Sequence, residues 1–322
     1  MKSTLFRMKL TAVGFALAAS GQAAAFDWDI YGKIDLQGLY TENDLYRYAD
    51  EGWQIEAPLS RIGAKAKQAF NDEFNLVAVF EYQLNGLDQA NRDDKFGLRN
   101  AYVGFAGKSW GELVFGKNDT RFKKSEGKID LFNETLNDMA QLTPGQDRLE
   151  NVVVYTSPVL SGLQFSATYQ TGVSDEESGG YDWTLSYGDP GFKSYSYYVA
   201  YSQAHELNNL DAQRVLVHAK LAEVAGGLLS GGLMFQHSEH QTRPLKGDAL
   251  LAELAFDREQ FTYKLQWQKD DSKTRHPEEG RLWSAGLEYG YSKELAVYTM
   301  VSVLDFESQD DNSAALGLRY TF

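Results

Sequence analysis

Along most of this chain apolar and polar residues alternate one for one. In 73–86 Phe74, Leu76, Ala78, Phe80, Tyr82 and Leu84 fall on one face, opposite Asn75, Glu81 and Gln83. Segment 162–171 sets Leu163, Phe165, Ala167 and Tyr169 against Gln164, Ser166, Thr168 and Gln170. Segment 260–269 sets Phe261, Tyr263, Leu265 and Trp267 against Thr262, Lys264, Gln266 and Gln268. Near the start Trp28, Ile30, Ile34, Leu36 and Tyr40 share one face, and Asp29, Tyr31, Lys33, Asp35 and Gln37 the other. A helix, at 3.6 residues per turn, would mix the two sets around its surface, so the pattern predicts strand. Sixteen such segments follow one another, near 28–42, 59–70, 73–86, 97–107, 111–118, 148–157, 162–171, 181–188, 192–204, 212–222, 226–236, 248–257, 260–270, 281–290, 294–306 and 314–322.

Their connections alternate between tight turns (Asn71-Asp72, Lys108 to Trp110, Asp189-Pro190-Gly191, Asp257 to Glu259) and longer polar loops such as 87–96, 172–180, 237–247 and 271–280. Short turns on one rim and long loops on the other are the habit of a membrane barrel. The expected fold is all-β, a 16-stranded antiparallel transmembrane β-barrel. About thirty residues between the strands ending near 118 and starting near 148 lack any strand pattern. A connection of that length is usually functional, and it is expected to fold into the lumen as the long third loop.

The first 25 residues are different in kind. Lys2, Arg7 and Lys9 precede the apolar stretch Leu10 to Ser20, and Ala23-Ala24-Ala25 ends it. That is the layout of a cleaved signal peptide, 1–25, with the barrel occupying 26–322. Eleven apolar residues are too few for a spanning helix, which needs about 20. Without the signal, 28 basic side chains face 45 acidic ones, a net charge of −17. Such acidity excludes nucleic acid as a partner. No cysteine is present, which removes thiol chemistry and disulfides. The mean hydropathy of −0.43 looks soluble, but it averages one face meeting lipid with another meeting water.

Several stretches carry a resemblance: Asp29-Ile-Tyr-Gly-Lys-Ile-Asp, Ser60-Arg-Ile-Gly-Ala-Lys, Tyr82-Gln-Leu-Asn, Leu98-Arg-Asn-Ala-Tyr-Val-Gly-Phe-Ala-Gly, Gly111-Glu-Leu-Val-Phe-Gly-Lys-Asn, Asn151-Val-Val-Val-Tyr-Thr-Ser-Pro and the terminal Gly317-Leu-Arg-Tyr-Thr-Phe. In order and spacing the chain resembles the Gram-negative general porins over nearly all of its exported length. The resemblance implies a homotrimer in the bacterial outer membrane, in contact with lipid and lipopolysaccharide. It implies a passive channel for small hydrophilic solutes and ions, and no cofactor. It also implies a basic ladder on the lumen wall, at Lys33, Arg61 and Arg99, facing acids of the third loop. Parity independently puts these three on the polar face, with Lys65 beside Arg61. The enterobacterial branch has an arginine after the tyrosine corresponding to Tyr155. Here Thr156 stands there, and Arg148, of the same parity, is the candidate for the fourth rung. Among loop acids Asp130 matches best, with Glu126, Glu134 and Asp138 as further candidates. The terminal Phe322, with Tyr320 two before it, resembles the signal read by the barrel-assembly machinery.

Other readings explain less. His237-Ser-Glu-His240 lacks a third metal ligand, and on a strand i and i+3 point to opposite faces. His218 has no serine motif with it, so no hydrolase is expected. A substrate-selective channel, for an oligosaccharide or another nutrient, would need a line of inward aromatics, and Tyr31 and Tyr198 are too few. A soluble periplasmic β-protein would not carry such apolar outer faces. Small residues on strand two, Ala64 and Ala66 beside Ile62, suit packing against another barrel. The acidic loops suggest a weak cation preference.

Overall fold

The computed structural model describes residues 27–71, 73–85, 87, 95–172 and 179–322. The expected signal peptide and its cleavage point, Asp72, most of the 87–96 loop and the acidic run at 175–177 lie outside the described residues.

Seventeen strands form one sheet: β1 (Asp27–Thr41), β2 (Gly52–Glu56), β3 (Arg61–Asn71), β4 (Phe74–Leu84), β5 (Phe96–Gly107), β6 (Gly111–Asp119), β7 (Arg148–Thr156), β8 (Leu163–Gln170), β9 (Tyr181–Gly188), β10 (Tyr197–Leu207), β11 (Leu210–Val224), β12 (Gly227–His240), β13 (Lys246–Arg258), β14 (Phe261–Asp270), β15 (Gly280–Gly290), β16 (Leu295–Phe306) and β17 (Asp310–Thr321). β2 and β3 both pair with β1, at 37–41 and 27–33, so they are two lengths of one stave. The barrel therefore has sixteen antiparallel staves, as the alternation predicts. The second stave starts earlier than the expected 59. Pro58, which has no N–H to offer, and Leu59, at φ 49°, interrupt it. Ser60 repairs the gap: its Oγ accepts from Asp35 N and donates to Asp35 O, both at 2.9 Å.

Closure comes where β1 meets β17, in register from Lys33↔Thr321 to Thr41↔Ser313. Gly32 and Phe322 extend the seam with two backbone bonds of 2.9 and 3.1 Å. A side chain at Gly32 would collide with the Phe322 ring. At the other end the Asp311 carboxylate accepts from the amides of Glu42, Asn43 and Leu45. A closed sheet has no edge, and in hydrocarbon each unsatisfied backbone group costs several kcal/mol.

The faces are sorted opposite to those of a soluble protein. On β11 Ala212, Arg214, Leu216 and His218 are buried while Val215 and Val217 are exposed. On β14 Gln266 and Gln268 are buried while Phe261, Tyr263 and Leu265 are exposed. Contiguous exposed apolar surface of this extent marks contact with lipid. No helix among the described residues is long and apolar enough to cross a membrane, so strands do the crossing.

Replacing outward Leu265, midway along β14, by lysine should cost about 2–4 kcal/mol in a lipid bilayer. The lumen-side change Thr262→Lys should cost far less. Urea unfolding in phospholipid vesicles measures both, and equal costs would contradict the assignment of faces.

Candidate functional site

The segment from Thr120 to Asp147 rests on the buried face of the sheet. It opens with a single helical turn, α1 (Arg121–Lys124), capped by Thr120, whose Oγ1 accepts from Lys123 N at 3.1 Å. Two wall side chains take its free amides. Thr168 Oγ1 accepts from Arg121 N, and Asp182 Oδ2 from Phe122 N, each at 2.9 Å. Arg214, almost wholly buried, then ties the segment's two ends. Its guanidinium donates to Phe122 O at 3.0 Å and to Gln236 Oε1 at 2.8 Å, and Gln236 in turn donates to Pro144 O at 3.0 Å. Phe122 lies under the same guanidinium, 4.3 Å from it.

Apolar contacts seat the middle. Ile129 and Met139 pack with Tyr198, Leu216, Met234 and Leu251. Phe132, Leu136 and Leu142 pack with Leu282, Met300 and Leu304. Gly286 makes the seat for Phe132, since a Cβ there would stand 2.9 Å from the ring. Buried apolar area, at roughly 25 cal/mol per Å², presses the segment onto the wall formed by β10 to β17.

From this seat one acid reaches the far wall. Glu134 adopts φ 64°, a left-handed conformation that costs a non-glycine residue on the order of 1–3 kcal/mol. Asp138 Oδ2 holds its amide at 2.7 Å. Its carboxylate accepts from Lys33 Nζ at 2.9 Å, from Arg61 at 2.7 and 2.8 Å, and from Arg99 at 3.4 Å. Burial works to raise its pKa, but Lys33 and Arg61 override it and hold the carboxyl well below the usual carboxylate range. A second acid, Glu81 on β4, lies between the arginines, 2.6 Å from Arg99 Nε and 3.5 Å from Arg61 Nε.

The expected residues thus divide. Lys33, Arg61, Arg99 and Glu134 come together. Lys65 shares their face but points elsewhere, over the Tyr31 ring at 4.3 Å. Arg148 pairs with Asp119 at 2.9 Å and with Asn100 at 3.2 Å, apart from Glu134. The other three loop acids serve the segment itself. Asp130, the best match by resemblance, accepts from Phe132 N, Met139 N and Gln266 Nε2 at 2.8–3.0 Å. Asp138 caps a short 3-10 turn, Met139–Gln141. Glu126 accepts from Asn133 Nδ2 at 2.8 Å. Phe322 and Tyr320 face outward at the seam, their rings stacked 5.9 Å apart. Glu81, Asp119 and Arg214 join the site from outside the expected set. Glu81 was visible on a polar strand face, whereas nothing in the pattern marks the reach of Arg214.

A cavity of about 460 Å³ lies between segment and wall, lined among others by Arg99, Arg148, Lys123 and Glu134. Charged side chains around a narrow aqueous gap select among permeating solutes.

Burial, and then the nearby Asp138, push the Glu126 carboxyl up to about 7. Because this lies above its ordinary 4.5, the stability Glu126 lends is full below that pH and is lost as pH rises through about 7. Amide hydrogen exchange across 126–129, corrected for intrinsic rates, should therefore be slower at pH 5 than at pH 8. Glu126→Gln should remove the difference. Protection independent of pH in the unaltered chain would contradict it.

A family model described as Gram-negative porin matches residues 10–321. An outer membrane porin protein of Bordetella pertussis is 27% identical over 200 residues, 55% of this chain and 50% of that protein. The chain thus spans about half the length of that curated relative. Among solved structures, Salmonella typhi OmpF in complex with daunomycin superposes with a TM-score of 0.68 at 15% identity, covering 92% of this chain and 97% of that one. Vibrio cholerae OmpT gives 0.65 at 16% identity, covering 94% and 99%. At such identities the structures speak for the fold alone, but the family match runs almost end to end: the chain belongs to the Gram-negative porins, as an outer-membrane β-barrel.

Proposed function

We propose that the barrel is a water-filled channel through which small hydrophilic solutes and ions diffuse passively across the outer membrane. The observation that carries this is the contact of Glu134 with Lys33, Arg61 and Arg99 across the inside of a closed barrel. Charges there meet water and solutes, since the opposite face of every stave is given over to lipid. Where carboxylate and cations stand around a narrow gap, water orients in their field. A polar solute aligns its dipole and passes; an apolar one must displace oriented water and is held back. The segment 120–147 narrows the lumen in this reading, with Lys33, Arg61, Arg99 and Glu134 at the constriction and Arg148 beside it.

Tyr31 and Tyr198 are engaged within the wall, and Tyr48, exposed at the cavity, is one ring rather than a line of them, which supports diffusion over a dedicated sugar path. Tyr31 donates to Glu81 at 3.0 Å, and Tyr198, buried beneath the segment, donates to Ser125 O at 3.2 Å. Neither ring is free to stack on a passing sugar. The reading includes a homotrimer set in lipid and lipopolysaccharide, in keeping with Trp28, Ile30 and Ile62 exposed around Ala64. It includes export by the 1–25 signal peptide and insertion by the barrel-assembly machinery through the Phe322 strand. It calls on no cofactor and no catalytic step.

Swelling of proteoliposomes in neutral sugars of increasing size tests the channel. Uptake should fall steeply with solute size and rise linearly with concentration. Deleting 131–137 should extend uptake to larger sugars. Saturable uptake of one sugar, or none from folded barrels, would overturn the proposal.

A further inference from the structure

The charges of this lumen are not offered equally to the cavity. On the ladder side the charges that reach the cavity are paired: Glu134 is 25% exposed and Arg61 21%, against 8% for Lys33 and 7% for Arg99. Three cations there, Lys33, Arg61 and Arg99, meet Glu81 and Glu134, and Lys33 also lies 3.8 Å from Asp35. A solute meeting that wall meets the Glu134–Arg61 ion pair rather than an uncovered cation.

At the root of the segment the cations stand in front of their carboxylate. Asp119, the last residue of β6, is 7% exposed and lies behind three cations. Arg148 is 2.9 Å from it, Lys123 3.5 Å and Lys124 3.7 Å, and their side chains are 16%, 22% and 57% exposed. One buried carboxylate stands among three cations that reach water, and the further acid near Lys123 and Lys124, Glu126, is itself buried. Lys123 and Arg148 line the same cavity as Glu134. Of the other acids lining it, Asp138 spends its oxygens on the amides of Glu134 and Ala140. Glu56 and Glu134 are the remaining acids of the lining, beside Arg99, Lys123 and Arg148, and Lys124 adds its charge outside it.

Distance decides which charges matter. The Debye length is about 8 Å at physiological ionic strength, so acids farther than that from the gap are largely screened from it. Charges inside a cleft with low-dielectric walls are not, and they concentrate counter-ions. The net −17 of the exported chain is therefore a poor guide to permeation. Resting on the channel proposed above, we infer that Lys123, Lys124 and Arg148 around Asp119 form the charge filter, and that the channel passes small anions in preference to cations. This reverses the weak cation preference that the acidic composition suggests.

The test is the zero-current potential of the full-length protein in planar bilayers under a potassium chloride gradient, with heat-modifiable migration showing that each variant is folded. The wild type should give the sign of a chloride-preferring channel. Lys123→Gln with Lys124→Gln should lower the chloride-to-potassium permeability ratio at least twofold. Glu134→Gln, which uncovers the ladder, should raise it. Raising salt toward 1 M, where the Debye length is about 3 Å, should weaken the preference. A potassium-preferring wild type, or a ratio the double variant leaves in place, overturns the inference while the channel stands. Folded barrels without conductance overturn both.

Discussion

Every backbone N–H and C=O within hydrocarbon must find its partner inside the chain, because lipid offers none. A sheet meets that demand only by closing, and here closure depends on the pairing of β1 with β17. The seam is reinforced at both ends, by Gly32 with Phe322 and by Asp311 with the amides that follow β1. Once the ring is closed the side chains have no freedom of face, because one slip in register would turn every outward leucine inward. Alternation in the sequence and closure in space are one constraint.

Closure also creates the interior in which function resides. The wall from β9 to β17 carries both apolar and polar inward side chains, and the 120–147 segment uses both. Phe122, Ile129 and Phe132 press it down, while Arg214, Asp182 and Gln236 take its free backbone groups. A segment so held can present Glu134 in an unfavourable backbone conformation, since the surroundings over-determine it. The ladder cations gain a carboxylate that offsets their mutual repulsion. Rigidity on one wall is what makes charge placement on the other reproducible.

The sequence disclosed what lipid imposes and little of what it does not. Sixteen staves were legible because each crosses hydrocarbon, where alternation is enforced. Beyond the bilayer both faces meet water and the pattern fades. β12 therefore runs to His240 and β13 starts at Lys246, through a stretch that reads as loop. The stave expected from 192 begins at Tyr197, because Asp189 gathers the amides of Gly191, Lys193 and Ser194 into a turn. In the lumen, Lys33, Arg61 and Arg99 were legible from parity and resemblance together. Which of four loop acids would meet them was not. That choice depends on the left-handed turn at Glu134 and its support by Asp138, neither of which has a periodic signature. Asp130 matched best and instead holds the segment's own backbone, while Lys65, correct in face, belongs to Tyr31.

The sorting of side chains between lipid and lumen is the claim on which everything else stands, and the absence of native cysteine makes it directly measurable. Single cysteines placed in turn from Thr299 to Asp305 on β16, spin-labelled in reconstituted vesicles, would report collision with oxygen, which partitions into lipid, and with a water-soluble nickel chelate. Oxygen access should peak at positions 299, 301 and 303 and fall at 300, 302 and 304. A period near 3.6, or labels shielded from oxygen at every position, would contradict the barrel and with it the site inside.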